Sequence, residues 1–310
     1  MSHLIRYRDN STNEHGVAEV DSDGAFSKLE ASFASFTEML RLEESVFRQR
    51  LCDAKRTPLA PELISVLSPC DGRMEVWAAG VTYLRSRDAR MEESTERSVY
   101  DRVYLADRPE LFMKSVAWRV VTSGDDIAAR SDSPLNVPEP ELALVLNSAA
   151  QIVGYTICND VSSRSIEGDN PLYLPQAKIY EASCAIAAKV RPAWEIEDPY
   201  NLAISAQMTR AGTTVWSATS TTAELHRTMD DLVKYLFRQQ SFPDGVILST
   251  GTGIVPGMEI TMQPGDVVDI DIAQVGTLRN QVVSVDSILS SRASASTVHD
   301  LTSTSVASIL

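Results

Sequence analysis

The stretch PEPELALVLN, residues 138–147, decides the fold because it combines a strand pattern with two acidic residues. It has the texture of a buried β-strand, yet Glu139 and Glu141 stand two positions apart near its start. Side chains alternate between the faces of a strand, so residues i and i+2 share a face roughly 7 Å apart. The pattern predicts that both glutamates point to one face, followed by Ala143 and Val145. The three leucines then point to the other face.

The next apolar stretch, QIVGYTICND at 151–160, follows closely enough to form a hairpin with the first. If the turn centres on Ala149 and Ala150, position 148 pairs with 151 and Glu139 lies opposite Asp160. Directly opposed residues share a face with Cβ atoms about 5 Å apart. The hairpin therefore predicts that Asp160 joins the two glutamates in one cluster.

Three carboxylates so close in a half-buried setting repel one another, so a positive group must lie among them. Mg²⁺ suits three oxygen ligands that leave positions open for water or substrate, and Mn²⁺ or Ca²⁺ are possible substitutes. Zinc is disfavoured because none of the four histidines is near the cluster in sequence: His3, His15, His226 and His299. The alternative is a glutamate pair on a solvated strand edge, without a metal.

The composition limits the classes of function. A chain of 310 residues with 44% hydrophobic residues can bury a full core. Its formal charge of −14 disfavours nucleic acid and anionic membranes as partners and favours a cation or a small metabolite. The four cysteines lack Cys-x-x-Cys spacing, which favours a cytoplasmic protein without disulfides. No apolar run approaches the roughly 20 residues of a membrane helix, and the amino terminus does not resemble a secretion signal.

The texture of the chain predicts an α+β fold, mainly β, in three parts. Residues 1–70 form a small N-terminal α/β domain, 71–289 a strand-rich catalytic domain, and 290–310 a flexible tail rich in Ser and Thr. An apolar stripe from Phe26 to Leu40 predicts one helix, and the proline-containing segment 55–72 predicts a linker.

One charged segment interrupts the strands. Residues 82–104, without Gly or Pro, predict an exposed helix, either a lid over the site or a solvated surface helix.

The run from 138 to 187 carries an ordered motif: Glu-x-Glu, then Gly-Tyr-x-x-x-Asn-Asp-x-x-x-Arg from 154 to 164, then Lys178. With WAAGVTYLRSRDAR, VILSTGTGIVPG and VGTLRN, it resembles the fumarylacetoacetate hydrolase superfamily over residues 74–288. The resemblance implies a mixed β-sheet roll preceded by a small N-terminal domain. It also implies Mg²⁺ on Glu139, Glu141 and Asp160, and a homodimer or larger homo-oligomer.

Within that superfamily, RPELFMK at 108–114 and GDNPLYLPQAK at 168–178 look most like the members that dehydrate 2-keto-3-deoxy sugar acids. The resemblance implies proton transfer by Lys178 and Glu110. Four further residues become candidates for binding the substrate: Arg164, Thr252, Thr82 and Lys114. The alternatives are a surface lysine at 178, a structural ion pair at Arg164, a plain turn at Thr252, and a Glu110–Lys114 pair if that stretch is helical.

The expected reaction is loss of water from a 2-oxo acid through an enolate that Mg²⁺ stabilises, after which tautomerisation of the unsaturated product gives 2,5-dioxopentanoate from a pentonate. An acylpyruvate hydrolase or oxaloacetate decarboxylase of the same superfamily is the first alternative. The hydrolases use a histidine to activate water, and the segment expected to form the lid has Glu92, Glu93 and Glu96 but no histidine. A non-catalytic metabolite-binding protein is the second alternative.

Overall fold

The computed structural model of the chain describes residues 2–30, 33, 35–93 and 97–293. Most of the predicted tail lies outside these residues, although 285–293 are helical. Glu96 and the side chains of Glu92 and Glu93 also lie outside what is described, so the acidic part of the expected lid is not placed. No helix in the described part of the chain is long and apolar enough to cross a membrane.

The strands, in chain order, are β1 (His3–Asp9), β2 (His15–Val20), β3 (Phe26–Glu30), β4 (Lys55–Pro58), β5 (Ile64–Leu67), β6 (Glu75–Gly80), β7 (Glu110–Val116), β8 (Asp126–Ala129), β9 (Asn136–Val137), β10 (Pro140–Leu146), β11 (Ile152–Asp160), β12 (Ser162–Ser163), β13 (Cys184–Ile186), β14 (Arg191–Pro192), β15 (Ala203–Arg210), β16 (Thr213–Thr221), β17 (Val246–Ser249), β18 (Val267–Ile272) and β19 (Gly276–Ser284). The α-helices are α1 (Phe36–Leu40), α2 (Glu44–Asp53), α3 (Leu84–Glu93), α4 (Arg97–Leu105), α5 (Arg164–Asp169), α6 (Leu174–Lys178) and α7 (Met229–Leu236).

The described strands form three larger sheets. An N-terminal sheet has the order β4-β3-β2-β1-β5, a central sheet the order β13-β11-β10-β17-β6-β7 with β14 beside β11, and a third the order β16-β15-β18-β19-β8. The pairs β6–β17 and β8–β19 are parallel whereas their neighbours are antiparallel. The predicted class, α+β with mixed and mainly β structure, is confirmed.

The central strand β10 separates two apolar cores, as its alternation predicts. Leu142, Leu144 and Leu146 pack in a core shared with the third sheet. Ala143 and Val145 pack in a second core with residues of α1. The N-terminal region therefore packs directly against the strand that carries Glu141, on the face that Glu141 shares with Ala143 and Val145.

The hairpin of β10 and β11 has the predicted register where it matters, although the predicted turn is wrong. Pro140 pairs with Asn159, and the Asp160 amide donates to the Glu139 carbonyl at 3.0 Å. Near the turn the register shifts by one residue after Val145, and the loop closes instead between Asn147 and Gln151. The bulge after Val145 shifts the pairing by one residue, so the register near Asp160 is the predicted one although the turn is not.

Two predictions for the N-terminal region are wrong. Residues 26–30 form strand β3, because the turn at Asp21–Ala25, with Gly24 at φ +82°, returns the chain antiparallel to β2. Only Phe36–Leu40 of the expected helix is helical. The expected linker contains β4 and β5, which complete the N-terminal sheet. The apolar spacing at Phe26 and Leu29 fits a helix by coincidence. Backbone pairing of these residues with β2 on one side and β4 on the other stabilises a strand instead.

The charged segment 82–104 is helical as predicted over its described residues from Leu84 onward, but it is not an exposed helix. It forms the two helices α3 and α4, and one face is buried, with Ala89, Arg90 and Tyr100 at most 9% exposed. Burial of this face places the helix pair over the cluster of carboxylates.

Candidate active site

The three predicted carboxylates converge beneath the helix pair. Glu139 precedes β10, Glu141 lies on β10 and Asp160 ends β11. All three are at most 2% exposed, and each offers an oxygen within 4.8 Å of the others. The strand register brings these charges together inside the protein rather than on a solvated edge.

Glu139 is surrounded by cations. Its carboxylate accepts from Arg164 Nη2 at 2.6 Å, from Lys178 Nζ at 2.5 Å and from Arg90 Nη2 at 3.2 Å. Burial alone would raise the pKa of Glu139, but the charges of Lys178, Arg164 and Arg90 outweigh it and hold that pKa well below its usual range. Glu139 is therefore a permanent anion.

Glu141 has the opposite surroundings. It accepts from the Ser249 hydroxyl at 2.5 Å and from the Gly251 amide at 2.8 Å. Within the part of the chain that the structure describes, no lysine or arginine forms an ion pair with it. Burial raises the pKa of Glu141 well above its usual value, and the neighbouring Asp160 raises it further. A bound cation would supply the positive charge that this carboxyl does not receive from the described lysines and arginines.

The loop after β17 is shaped to bring its amide to Glu141. Gly251 has φ +91°, and a Cβ there would lie 2.0 Å from Thr82 Oγ1 and 2.8 Å from the Ala79 carbonyl. Only glycine fits this conformation in this space. The first glycine of the Gly-Thr-Gly sequence at 251–253 is thus explained by close packing beside a carboxylate.

Lys178 is buried at the end of α6, not on the surface. Its Nζ donates to Glu139 at 2.5 Å, to Ser162 Oγ at 2.6 Å and to Asp160 Oδ2 at 3.2 Å. Three acceptors match the three hydrogens of an ammonium group. Ser162 was missed in the sequence, where it is one of three serines after the Asn-Asp motif and carries no distinct signal.

Lys114 does not face the cavity as predicted. It is fully buried behind the triad, where Nζ lies 2.6 Å from Asp160 Oδ1 and donates to the carbonyls of Val161 and Lys178. Pairing between β6 and β7 skips this position, since Trp77 pairs with Met113 and Val76 with Ser115. The bulge turns the lysine toward Asp160, a displacement that strict alternation does not predict.

Glu110 begins β7 and lines the cavity that holds the triad. Gly80, its partner in β6, makes room for it, because a Cβ there would lie 2.2 Å from Glu110 Oε2. Burial raises the pKa of Glu110 above its usual value, although the charges of Arg90 and Lys178 oppose the shift. The stretch is a strand, so the helical Glu110–Lys114 pair weighed above does not exist.

The two threonines predicted to bind substrate, Thr82 and Thr252, form hydrogen bonds to the protein backbone with their hydroxyls. Thr252 lines the cavity, and its Oγ1 lies 2.9 Å from the Pro140 carbonyl and accepts from the Ile254 amide at 3.0 Å. Thr82 is fully buried, and its hydroxyl donates to the Thr250 carbonyl at 2.6 Å. Both hold the loop beside Glu141, and a contact of either with a substrate stays a prediction.

Two further residues of the site, Arg90 and Glu167, were not predicted from the sequence. Arg90 of α3 reaches Glu139 and forms an ion pair with Glu167 of α5, and both are at most 9% exposed. The sequence places Arg90 in the charged segment predicted to be an exposed helix, either a lid or a solvated surface helix. The small and aromatic residues on either side, Ala89 and Tyr100, are the signal that one face of this segment is buried.

The cavity joins these groups to an apolar wall. Besides the charged residues, it is lined by side chains of α4, of β7 and of the start of α6 with the turn before it: Val99, Tyr100, Val103, Phe112, Pro171 and Leu174. Charged groups and apolar side chains therefore line the same cavity, and α4 supplies part of its apolar lining. This combination is typical of a site for a small polar metabolite.

The triad fits a hard dication. Three carboxylate oxygens within 4.8 Å of one another supply the oxygen ligands that Mg²⁺ prefers. The missing cationic partner of Glu141 is the independent sign that a positive ion belongs there.

The chain matches one family over its central and third sheets. Residues 75–283 match the family described as fumarylacetoacetate (FAA) hydrolase C-terminal. The matched region is well over half of the chain, so the chain belongs to the fumarylacetoacetate hydrolase family. The resemblance drawn from the motif at 138–178 is confirmed.

Two relatives and one solved structure that are similar to this chain carry the names of sugar-acid dehydratases. The chain is 48% identical over 211 residues to a probable 2-keto-3-deoxyxylonate dehydratase of Haloferax volcanii, covering 68% of this chain and 73% of that protein. It is 42% identical over 219 residues to a 2-dehydro-3-deoxy-D-arabinonate dehydratase of Saccharolobus solfataricus, covering 69% and 73%. A solved 2-keto-3-deoxy-D-arabinonate dehydratase complexed with magnesium and 2,5-dioxopentanoate has a TM-score of 0.79, with 32% identity over 92% of this chain and 99% of that one.

Proposed function

We propose that the protein is a magnesium-dependent dehydratase of a 2-keto-3-deoxy sugar acid, a hydro-lyase that forms 2,5-dioxopentanoate from 2-keto-3-deoxy-D-arabinonate or a stereoisomer. The observation that carries the proposal is the buried triad in one cavity with Lys178 and Glu110, in which Glu141 forms no ion pair with any lysine or arginine among the described residues. Relatives that share the family and two fifths or more of the aligned residues are named as such dehydratases.

Glu139, Glu141 and Asp160 would hold Mg²⁺. When bound, the ion supplies electrophilic stabilisation of the enolate that forms when a proton leaves carbon 3. The protein supports the ligands from outside, with Arg164 on Glu139, Lys114 on Asp160 and the Gly251 amide on Glu141. These contacts fix the orientation of each carboxylate before any ligand arrives.

Lys178 and Glu110 are the two groups for proton transfer. Lys178 is held by three oxygen acceptors beside the triad, a position from which it would take the proton from carbon 3 once neutral. Burial favours the protonated form of Glu110, which suits a donor to the leaving hydroxyl at carbon 4. The proposed base, Lys178, and the proposed acid, Glu110, thus have different surroundings within one cavity.

The cations of the cavity argue against substrates with a second carboxylate, such as oxaloacetate. Arg90, Arg164 and Lys178 are each bound to carboxylates of the protein itself. A second substrate carboxylate would have to displace one of these ion pairs. The hydrolase alternative is disfavoured as well, because no histidine of the described chain lines the cavity.

We also propose a homo-oligomer in the cytoplasm. The four cysteines are free, and three of them are buried, which agrees with a reducing compartment. The formal charge of −14 agrees with a small metabolite and a cation as ligands rather than nucleic acid.

A substrate panel tests the proposal. Purified protein with Mg²⁺ is given 2-keto-3-deoxy-pentonates of both configurations at carbon 4, an acylpyruvate and oxaloacetate, and kcat/KM is measured for each. We expect the pentonates to exceed both other acids by at least about 100-fold, since leaving buried charges unpaired costs several kcal/mol. Preferred turnover of the acylpyruvate or oxaloacetate would contradict the proposal.

A further inference from the structure

The helix α4 forms part of the wall of the cavity that holds the carboxylates, and among the contacts of the described residues none from the catalytic cluster holds its carboxyl end. Val99, Tyr100 and Val103 of this helix line the cavity. A helix of nine residues is marginal by itself, and its last carbonyls need partners. The position of this wall therefore depends on what binds the end of α4.

Arg227 binds that end. Its Nη2 donates to the backbone carbonyls of Ala106 at 2.6 Å and Val103 at 3.0 Å, and its Nη1 donates to the backbone carbonyl of Asp107 at 3.4 Å. The side chain comes from a distant part of the chain and is only 8% exposed. A guanidinium at a helix C-terminus satisfies orphan carbonyls and complements the helix dipole.

The neighbours of Arg227 make its segment a rigid support. Thr228 caps α7, and the Met229 amide donates to Tyr200 Oη at 2.7 Å. On the other side, the His226 amide donates to the Thr82 carbonyl at 2.9 Å. The arginine thus projects from a fixed segment between the apolar core and the loop beside Gly251.

Ring contacts add a second attachment near the same helix end. The His226 and Tyr104 rings stack with centroids 4.3 Å apart and an interplanar angle of 20°. Arg87 of α3 lies over the Tyr104 ring at 5.1 Å. These contacts tie α3 and α4 to the segment that carries Arg227.

We infer that Arg227 is a positioning residue for the proposed dehydration: it fixes the wall of α4 against which the hydroxylated end of the sugar acid packs. It touches neither the triad nor the two proton-transfer groups. Its loss raises KM for the sugar acid while the metal site stays intact. This inference rests on the proposed function, because it names part of the same cavity.

The test compares Arg227→Met with Arg227→Lys and with a matched control, Arg238→Met, which removes an exposed arginine just beyond α7. Amide exchange of the Mg²⁺-loaded protein is followed in 99–106 and in the central sheet. In parallel, magnesium Kd and the KM and kcat for 2-keto-3-deoxy-pentonate are measured.

For Arg227→Met we expect exchange in 99–106 to accelerate at least about tenfold, KM to rise about tenfold with a smaller change in kcat, and magnesium Kd to stay within twofold. Arg227→Lys, which keeps a donor, should recover part of KM, and Arg238→Met should resemble the unmodified protein. Unchanged exchange in 99–106, or faster exchange with unchanged KM, overturns the inference.

The two proposals fail separately. If the unmodified protein turns over no sugar acid, the proposed function has failed, and exchange in 99–106 alone then decides whether Arg227 positions the helix. If Arg227→Met does not fold, Arg227→Lys is held to the same expectations, reduced in size. Its exchange and KM then support or overturn the inference.

Discussion

Two buried lysines behave differently although both contact Asp160. Lys178 lies in the cavity and would exchange a proton, whereas Lys114 lies behind the triad and contacts backbone carbonyls. Lys114 was expected to bind substrate, and its position instead indicates a structural charge that balances Asp160. The motif at 108–114 predicts that the lysine belongs to the site, but only the bulge in β7 reveals which side it reaches.

Lys114→Met should destabilise the protein in the absence of metal. Asp160 would lose its closest buried cation, which typically costs about 3 kcal/mol in the free energy of unfolding. Because a dication would compensate Asp160, Mg²⁺ should restore part of that loss. Urea unfolding in EDTA and in excess Mg²⁺ measures both effects, with the exposed Lys189→Met as control. Equal stability of the variant and the unmodified protein in EDTA would contradict the account.

Glu110→Gln should lower kcat by about 10²- to 10⁴-fold, because a proton donor is lost, and leave magnesium affinity unchanged. Burial raises the pKa of Glu110, so its protonated form persists to higher pH than that of an ordinary carboxyl. As a donor it is active below its pKa, and kcat/KM should fall as pH rises through that pKa. This fall of kcat/KM with rising pH should be absent from the remaining activity of Glu110→Gln. A rate that rises with pH through the same group would make Glu110 a base instead.

At the scale of elements, the hairpin of β10 and β11 was predicted well and its turn poorly. The alternation of 138–146 determines which side chains share a face, and this survives any error in the loop. The turn was predicted at Ala149 and Ala150, but Asn147 forms it through side-chain contacts that no local propensity of the alanines indicates. The same lesson holds for residues 26–30, where strand pairing overrides a helical spacing.

Asn147→Ala should weaken the fold more than the site. The Asn147 side chain accepts from the amides of Ala149 and Gln151 and donates to the Leu42 carbonyl, and it is fully buried. Leaving these groups without partners should lower the free energy of unfolding by about 2 kcal/mol.

Magnesium affinity of Asn147→Ala should change less than threefold, because the paired strands beyond the bulge hold the triad. Chemical denaturation and titration calorimetry measure the two quantities, with the exposed Asn201→Ala as control. A large loss of magnesium binding at normal stability would show that the turn sets the register.

At the scale of the whole molecule, the N-terminal strand is attached to the remainder by specific contacts. The Leu4 amide donates to the Val190 carbonyl at 2.8 Å, and His3 Nε2 contacts the Val275 carbonyl at 2.8 Å. The sequence predicts a small N-terminal unit from its texture. It cannot predict this attachment, because the partners lie nearly 200 residues or more away and carry no motif.

His3 should make stability depend on pH. Burial, together with the charge of Arg191, lowers the pKa of His3 from 6.5 to about 4. The unfolded chain therefore binds a proton at a pH where the folded protein does not, and the stabilisation present above pH 6.5 is lost as pH falls toward 4. Since the ring is only partly buried, we expect a contribution of about 1 kcal/mol.

His3→Gln should accordingly lose about 1 kcal/mol less stability than the unmodified protein between about pH 7.5 and 5. Urea unfolding at the two pH values measures this difference. His15→Gln, at an exposed position of the N-terminal sheet, controls for removal of a histidine. Identical pH dependence of His3→Gln and the unmodified protein would exclude His3 as the source.

The most direct test of the whole account is a proton NMR time course of 2-keto-3-deoxy-D-arabinonate with the protein, with and without Mg²⁺, beside Glu141→Gln. We predict that the aldehyde signal of 2,5-dioxopentanoate appears only with both Mg²⁺ and the intact triad. Formation of the aldehyde in EDTA, or at an undiminished rate by Glu141→Gln with Mg²⁺, would contradict the central claim that the buried triad holds the metal on which dehydration depends.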